Sequence, residues 1–329
     1  MSYRGLLVAL GALVVALFAA SLLIGPAAIG LRASLHALVT GEGGPVVLVM
    51  REIRLPRALL GAMIGAVLGL SGAALQGFLR NPLAEPGLIG ISGAAALGAV
   101  ISLQTGLAAA FALALPLAAL AGAVAAVVLI LALAGPRGTA LTLILAGIAI
   151  SAFAAALTAL VLNLSPNPYA AAEIVFWMMG SLADRSMTHV WLAAPFMAVG
   201  AAMLFSLGRG LDALTLGEDA AEAMGIRLGR LRLVLILGTA AVVGAATAVS
   251  GAIGFVGLVI PHILRPFTGG RPSRLLPASA LGGAAMVLAA DVAVRLIAPD
   301  RDLKLGVLTA LVGAPFFLHL IWRTRRAER

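Results

Sequence analysis

Residues 58–79 read ALLGAMIGAVLGLSGAALQGFL, 22 positions rich in glycine and without a charge. A helix needs about 20 such residues to cross the roughly 30 Å hydrocarbon core of a bilayer. This stretch therefore spans a membrane, and most of the chain follows its pattern. Of 329 residues, 62% are hydrophobic and 11% charged. A soluble domain averages about 45–50% and about 25%. Mean hydropathy is +1.12. One soluble domain of this length could not hide that much apolar surface, and disorder needs the opposite composition. The runs are continuous rather than alternating, which excludes a transmembrane barrel. With no cysteine, a disulfide scaffold and cysteine-based metal or redox sites are excluded too.

Working outward, nine further apolar segments appear, at 6–24, 88–103, 107–134, 140–162, 189–207, 233–250, 253–264, 276–297 and 303–322. The first has no Ala-x-Ala site after it and is read as a retained helix, not a cleaved signal. Segment 253–264 has only 12 residues and reads as a short span or a broken helix. A piece at 171–182 is too short to cross and is expected to be an interfacial or half-buried helix beside a cavity. The expected fold is all-α and polytopic: ten transmembrane helices in one domain over 1–329, with a polar connector at 208–232.

An even number of crossings puts both termini on one side. With the termini in the cytoplasm, cytoplasmic segments hold 14 of the 22 basic residues and the other side holds 8. The bias of Lys and Arg toward cytoplasmic loops selects this orientation. It also accounts for the net charge of +9 without nucleic acid, because the arginines occupy short connectors rather than an aromatic-interleaved patch.

Little chemistry is available to the chain alone. Its one lysine, Lys304, follows no glycine-rich loop, so it has no P-loop; any ATP that drives it, with its magnesium, must be bound by another chain. No His-Glu-x-x-His string occurs, and no metal site or cofactor is expected. Gly-x-Ser-Gly strings surround Ser71 and Ser92, the pattern an intramembrane serine protease would need. No histidine partners either serine recognisably, so glycine-mediated helix packing is the better reading. A stand-alone ion-coupled transporter would need ionisable groups deep in the membrane. Asp291 and Arg295 are such a pair at i,i+4, read as a local ion pair at least as readily as a proton relay. Glu85 stands at a segment edge. The stretch from Leu216 to Gly225 reads as a short helix with acids in its first turn, closed by glycine, either a docking helix or a solvated loop helix.

Several strings then fall into a known order. They are Arg54-Leu55-Pro56-Arg57, Ser71-Gly72, Gln76, Asn81-Pro82-Leu83-Ala84-Glu85-Pro86, Leu216-Gly217 through Met224-Gly225, Gly254-Phe255-Val256-Gly257 through Pro261-His262, Asp291 to Arg295, and Gly313-Ala314-Pro315-Phe316-Phe317. Their order and spacing resemble the FecCD-type permeases of ABC importers for iron-siderophores, haem and vitamin B12, over nearly the whole chain from about residue 51 to 322.

That resemblance implies the type II importer permease fold and a transport subunit without enzymatic activity. It implies a homodimer in a bacterial inner membrane, two ATP-binding-cassette ATPase subunits below and a periplasmic binding protein above. The cargo would be a ferric chelate or a cobalamin-like compound. By motif position, Arg54, Arg57 and Arg295 would meet the binding protein as exposed charges, Asn81 and Leu83 would form the cytoplasmic gate, and the helix carrying Gly217, Glu218, Ala221 and Gly225 would couple to the ATPase. The 171–182 helix would flank the translocation cavity. Where the family often has Glu-Leu-Pro-Val-Gly, this chain has Asp302-Leu303-Lys304-Leu305-Gly306. Loss of the proline removes a preset helix start.

Overall fold

The computed structural model describes residues 2–42, 44–111, 113–135, 140–165, 168–298 and 303–327. They form helices α1 (Tyr3–Leu23), α2 (Leu31–Thr40), α3 (Pro45–Phe78), α4 (Ile91–Gln104), α5 (Ala114–Ala134), α6 (Ala140–Asn163) and α7 (Pro168–Met178). After these come α8 (Met187–Ser206), α9 (Gly208–Leu214), α10 (Glu218–Ala223), α11 (Leu228–Ser250), α12 (Val256–Leu264), α13 (Pro272–Ile297) and α14 (Leu305–Ala327). Seven are long and apolar enough to cross a membrane, and the apolar helices Ile91–Gln104, Val256–Thr268 and Leu305–His319 are shorter. These correspond to the ten expected segments.

The boundaries move for local reasons. The second span begins at Pro45, well before 58, because Pro45 presets the first turn and a π-helical stretch, Val49–Arg54, carries the helix through its arginines. Connector 208–232 divides into α9, α10 and the first turn of α11. The short helix lies at Pro168–Met178 rather than 171–182, and Gly180, at φ 73°, turns the chain after it. Asp302, which opens the string at the start of the last helix, lies outside the described residues.

Glycine sets the closest approaches. A Cβ on Gly65 would meet the Gly283 carbonyl, and one on Gly69 would meet the Ser279 carbonyl. Helices α3 and α13 therefore touch backbone to backbone along an antiparallel seam, which is how membrane helices pack without a hydrophobic driving force. Gly98 and Gly122 do the same between α4 and α5.

The eighth crossing is broken. Helix α12 has nine residues, about 14 Å of rise, and begins only after a non-helical stretch at 251–255. A Cβ on Gly72 of α3 would meet the Gly257 backbone, and one on Gly257 would meet Pro86 and the Leu68 carbonyl. The start of α12 is thus held well inside the bundle, in the second half of α3. Irregular backbone at that depth is tolerated only when protein satisfies its polar groups. Here Gly251 N–H donates to the Thr247 carbonyl at 2.8 Å, the Gly251 carbonyl accepts from Ser250 Oγ at 3.1 Å, and Phe255 N–H donates to Glu85.

Candidate gate and coupling elements

The loop after α3 turns sharply. Arg80 takes a left-handed conformation, φ 49°, and Asn81 N–H donates back to the Gln76 carbonyl at 3.2 Å. This is the helix ending that usually places glycine where Arg80 stands. Asn81 Oδ1 then accepts from Leu83 N–H at 2.9 Å, an Asx turn that sets the direction of Leu83. Asn81 is exposed and Leu83 partly buried.

Two side chains tie this loop to α12. Gln76 is fully buried. Its Nε2 lies 3.3 Å from each of the carbonyls of Ala84, Gly257 and Leu258, and its Oε1 accepts from Arg265 Nη2 at 2.7 Å. Glu85 accepts from the backbone N–H of Phe255, the residue before α12, which sits at φ 67°. A carboxylate at a helix N-terminus is placed well for the helix dipole. Burial nevertheless pushes the Glu85 carboxyl above the ordinary range, and the Phe255 N–H offsets this only in part. The carboxylate borders a cavity of about 80 Å³ whose polar lining includes Ser92, Thr247 and Ser250. A lone glutamine inside an apolar run was the readable signal for Gln76; nothing local marked Glu85.

Helix α10 is bracketed by Gly217 (φ 109°) and Gly225 (φ 84°), and Ile226 N–H closes it on the Ala221 carbonyl at 3.0 Å. Ala221 is buried, whereas Glu218, Asp219 and Glu222 are not. Glu218 lies 3.9 Å from Arg80, so the acidic helix approaches the loop after α3; both side chains are about half exposed, which leaves the pair weak. A firmer link runs through α9. Asp212 accepts from Ser273 N–H at 2.8 Å and Ser273 Oγ at 2.6 Å, capping α13, which then runs along α3.

The three arginines do converge, at the opposite end of α3, but not as free charges. Arg54 is only 4% exposed. Its guanidinium donates to the carbonyls of Leu22 and Leu23 at the end of α1 and of Ala27 in the turn that follows. Arg57 pairs with Asp291 at 2.8 Å, and Arg295 pairs with Asp291 at 2.7 Å while also donating to Ser21 and Ile24. The expectation of exposed docking charges is corrected for Arg54 and Arg295. The last carbonyls of α1 have no partners in their own helix, and guanidinium groups satisfy them. The i,i+4 pairing of Asp291 with Arg295 is as expected.

Other expectations find their places. Ser71 is fully buried and its hydroxyl donates to the Leu68 carbonyl, a packing role rather than a nucleophile's. His262 sits edge-on to Phe316, ring centroids 5.7 Å apart. Lys304, in the family's proline position, holds its ammonium 5.6 Å from the Phe176 ring centroid. Its carbonyl accepts from Val307 N–H, so α14 starts without the proline. Among the described residues no cluster of metal-binding side chains occurs.

Comparison with known proteins follows the same outline. The profile of the FecCD transport family matches residues 13–323. The vitamin B12 import system permease protein BtuC of Vibrio cholerae is 40% identical over 273 residues, covering 83% of this chain and 82% of that protein. The Fe(3+) dicitrate transport system permease protein FecD of Escherichia coli is 37% identical over 277 residues, covering 84% and 86%. An inward-facing structure of a metal-chelate type ABC transporter superposes with a TM-score of 0.86 at 32% identity, covering 97% of this chain and 99% of that one.

Proposed function

The chain belongs to the FecCD transport family, and from that premise we propose that it carries a ferric chelate or a cobalamin-like compound across a bacterial inner membrane as the permease of an ABC importer. The family match across residues 13–323 is the observation that carries this reading. Relatives named for ferric citrate, haemin and vitamin B12 bound the cargo class.

In this reading two copies form the pathway, with both termini in the cytoplasm. Asn81 and Leu83 close its cytoplasmic end. Separate ATPase subunits, which bind the ATP and magnesium, grip α10 between Gly217 and Gly225, through Glu218 and the backbone over Ala221. Their closure reaches the gate by α9, the Asp212–Ser273 cap and α13. The chain itself makes and breaks no covalent bond and holds no cofactor.

A binding protein docks at the other end, over Arg54, Arg57 and Arg295. Arg57 and Arg295 share Asp291 there and Arg54 bonds only backbone carbonyls, so this cluster of three arginines and one aspartate is positive even though its guanidinium groups are engaged. Such a field steers an acidic partner without direct contact. Arg57, the more exposed of the two arginines paired with Asp291, is the one within reach of a partner carboxylate.

The test is reconstitution in liposomes with the ATPase and the binding protein. ATP-dependent uptake of ferric citrate, haem or cobalamin is expected. Uptake on an ion gradient without the ATPase would overturn the reading.

A further inference from the structure

A groove of about 420 Å³ opens where α8 and α9 meet the start of α11. Arg209, Arg227 and Arg230 line it, and no acidic residue does. On α11 the lining positions 230, 231 and 234 recur at helical spacing, and Arg227, the residue that precedes the helix, lines the groove beside them. Among the described residues none of the three guanidinium groups has an ion-pair or hydrogen-bond partner, and all three residues are exposed. Like charges at this spacing repel. A bound anion removes that cost.

The backbone adds a second feature. Helix α11, 23 residues long, has no side-chain cap at Arg227 and no acid in its first turn. The N–H groups opening such a helix carry partial positive charge and bind phosphate readily. Gly229 leaves open space beside them.

A third feature selects the kind of anion. Phe205 (44% exposed), Leu233 (43%) and Leu237 (36%) are exposed on α8 and α11, the two long apolar helices whose residues Ser206 and Val234 line the groove. Polar binding groups thus meet an apolar track at one level of the bundle. We propose that this groove binds the headgroup phosphate of an anionic phospholipid, with its acyl chains along Phe205 and Leu237. Gly225, the closing residue of α10, lines the same groove, so the lipid sits against the foot of the coupling helix.

The experiment uses the full chain purified from mixed micelles of equal parts phosphatidylglycerol and phosphatidylcholine, with retained lipid weighed by native mass spectrometry. The wild type is expected to keep phosphatidylglycerol in preference to phosphatidylcholine. Surface arginines contribute about fivefold each to anionic lipid binding, so the triple variant Arg209→Gln, Arg227→Gln, Arg230→Gln loses roughly a hundredfold. Arg32→Gln, at a remote exposed arginine, keeps wild-type retention, and melting curves confirm that each variant is folded. Equal retention of the two lipids overturns the proposal, as does retention of phosphatidylglycerol by a folded triple variant. Displacement by inorganic phosphate alone would make this a free-anion site, and complete loss of lipid on adding the ATPase would make it the ATPase's contact; either result overturns the proposal.

Discussion

Glu85 accepts a hydrogen bond from the backbone N–H of Phe255, 170 residues away in sequence. This contact fastens the loop after α3 to the inner end of the broken crossing. The proposed gate and α12 therefore move as one body. Replacing Glu85 with Ala removes the acceptor, while Gln keeps a carbonyl oxygen in its place. The chain has no cysteine, so Leu83→Cys is a clean reporter. Labelling of that cysteine without ATP should rise several-fold in Glu85→Ala and stay near wild type in Glu85→Gln. Equal labelling in all three backgrounds would remove Glu85 from the gate.

The same carboxyl predicts a pH effect. Its folded pKa is raised by burial. Its contribution to stability is then fully present below the unfolded carboxylate pKa and is lost as pH rises through the folded value. Glu85→Gln, which never ionises, should melt above wild type at neutral pH. The gap should close in acid. A gap that widens as pH falls would reverse the assigned sign.

Gln76→Leu is nearly isosteric but leaves three carbonyls and Arg265 Nη2 without their side-chain partner. A buried group left unsatisfied costs about 1–3 kcal/mol. The melting temperature should fall by several degrees, and cytoplasmic protease should cut more readily between Asn81 and Glu85. Wild-type values on both measures would show that water replaces the amide freely.

Gly65→Leu forces a side chain into the α3–α13 seam, where the nearest atoms are backbone of Gly283 and Ala284. Overpacking of this kind costs about 1–3 kcal/mol, or more where the backbone cannot yield. The variant should fail to give a monodisperse peak in detergent. Gly229→Leu, a glycine with no neighbour within 4 Å of the added Cβ, should purify normally. Matching behaviour of the two would mean that the seam does not hold the bundle together.

Gly225 has open space around it but φ 84°. Ala there meets strain rather than collision, about 1–2 kcal/mol. The expected outcome is a complex that assembles and hydrolyses ATP yet transports several-fold less. Intact coupling in Gly225→Ala and Gly217→Ala together would separate α10 from the ATPase.

Asp291→Asn removes the carboxylate shared by Arg57 and Arg295. Breaking a buried pair from one side costs about 3–5 kcal/mol. Thermal stability should drop markedly, whereas Arg57→Gln, at a partly exposed partner, should cost less and act mainly on the association rate of the binding protein. A salt-independent association rate in wild type would contradict steering.

Legibility followed the range of the interactions. The apolar run at 58–79 announces a span because crossing a bilayer is a demand on about 20 consecutive residues. The bracketing of α10 by Gly217 and Gly225 was equally readable, since a helix end requires its own local backbone geometry. Arg54 was not readable. As an arginine at a membrane boundary it suits an exposed anchor or a docking charge, and its burial depends on α1 ending 31 residues earlier with unsatisfied carbonyls. Glu85 was read as a segment edge for the same reason: its acceptor role exists only because α12 begins inside the bundle.

Composition, hydrophobic run lengths and terminal glycines were determined by the sequence itself, because each answers to the solvent or to the nearest few residues. The tertiary structure alone decided which buried polar group meets which. In a bilayer no water completes a hydrogen bond, so Glu85, Gln76 and Arg54 take the partners that packing brings, and those partners lie far away along the chain.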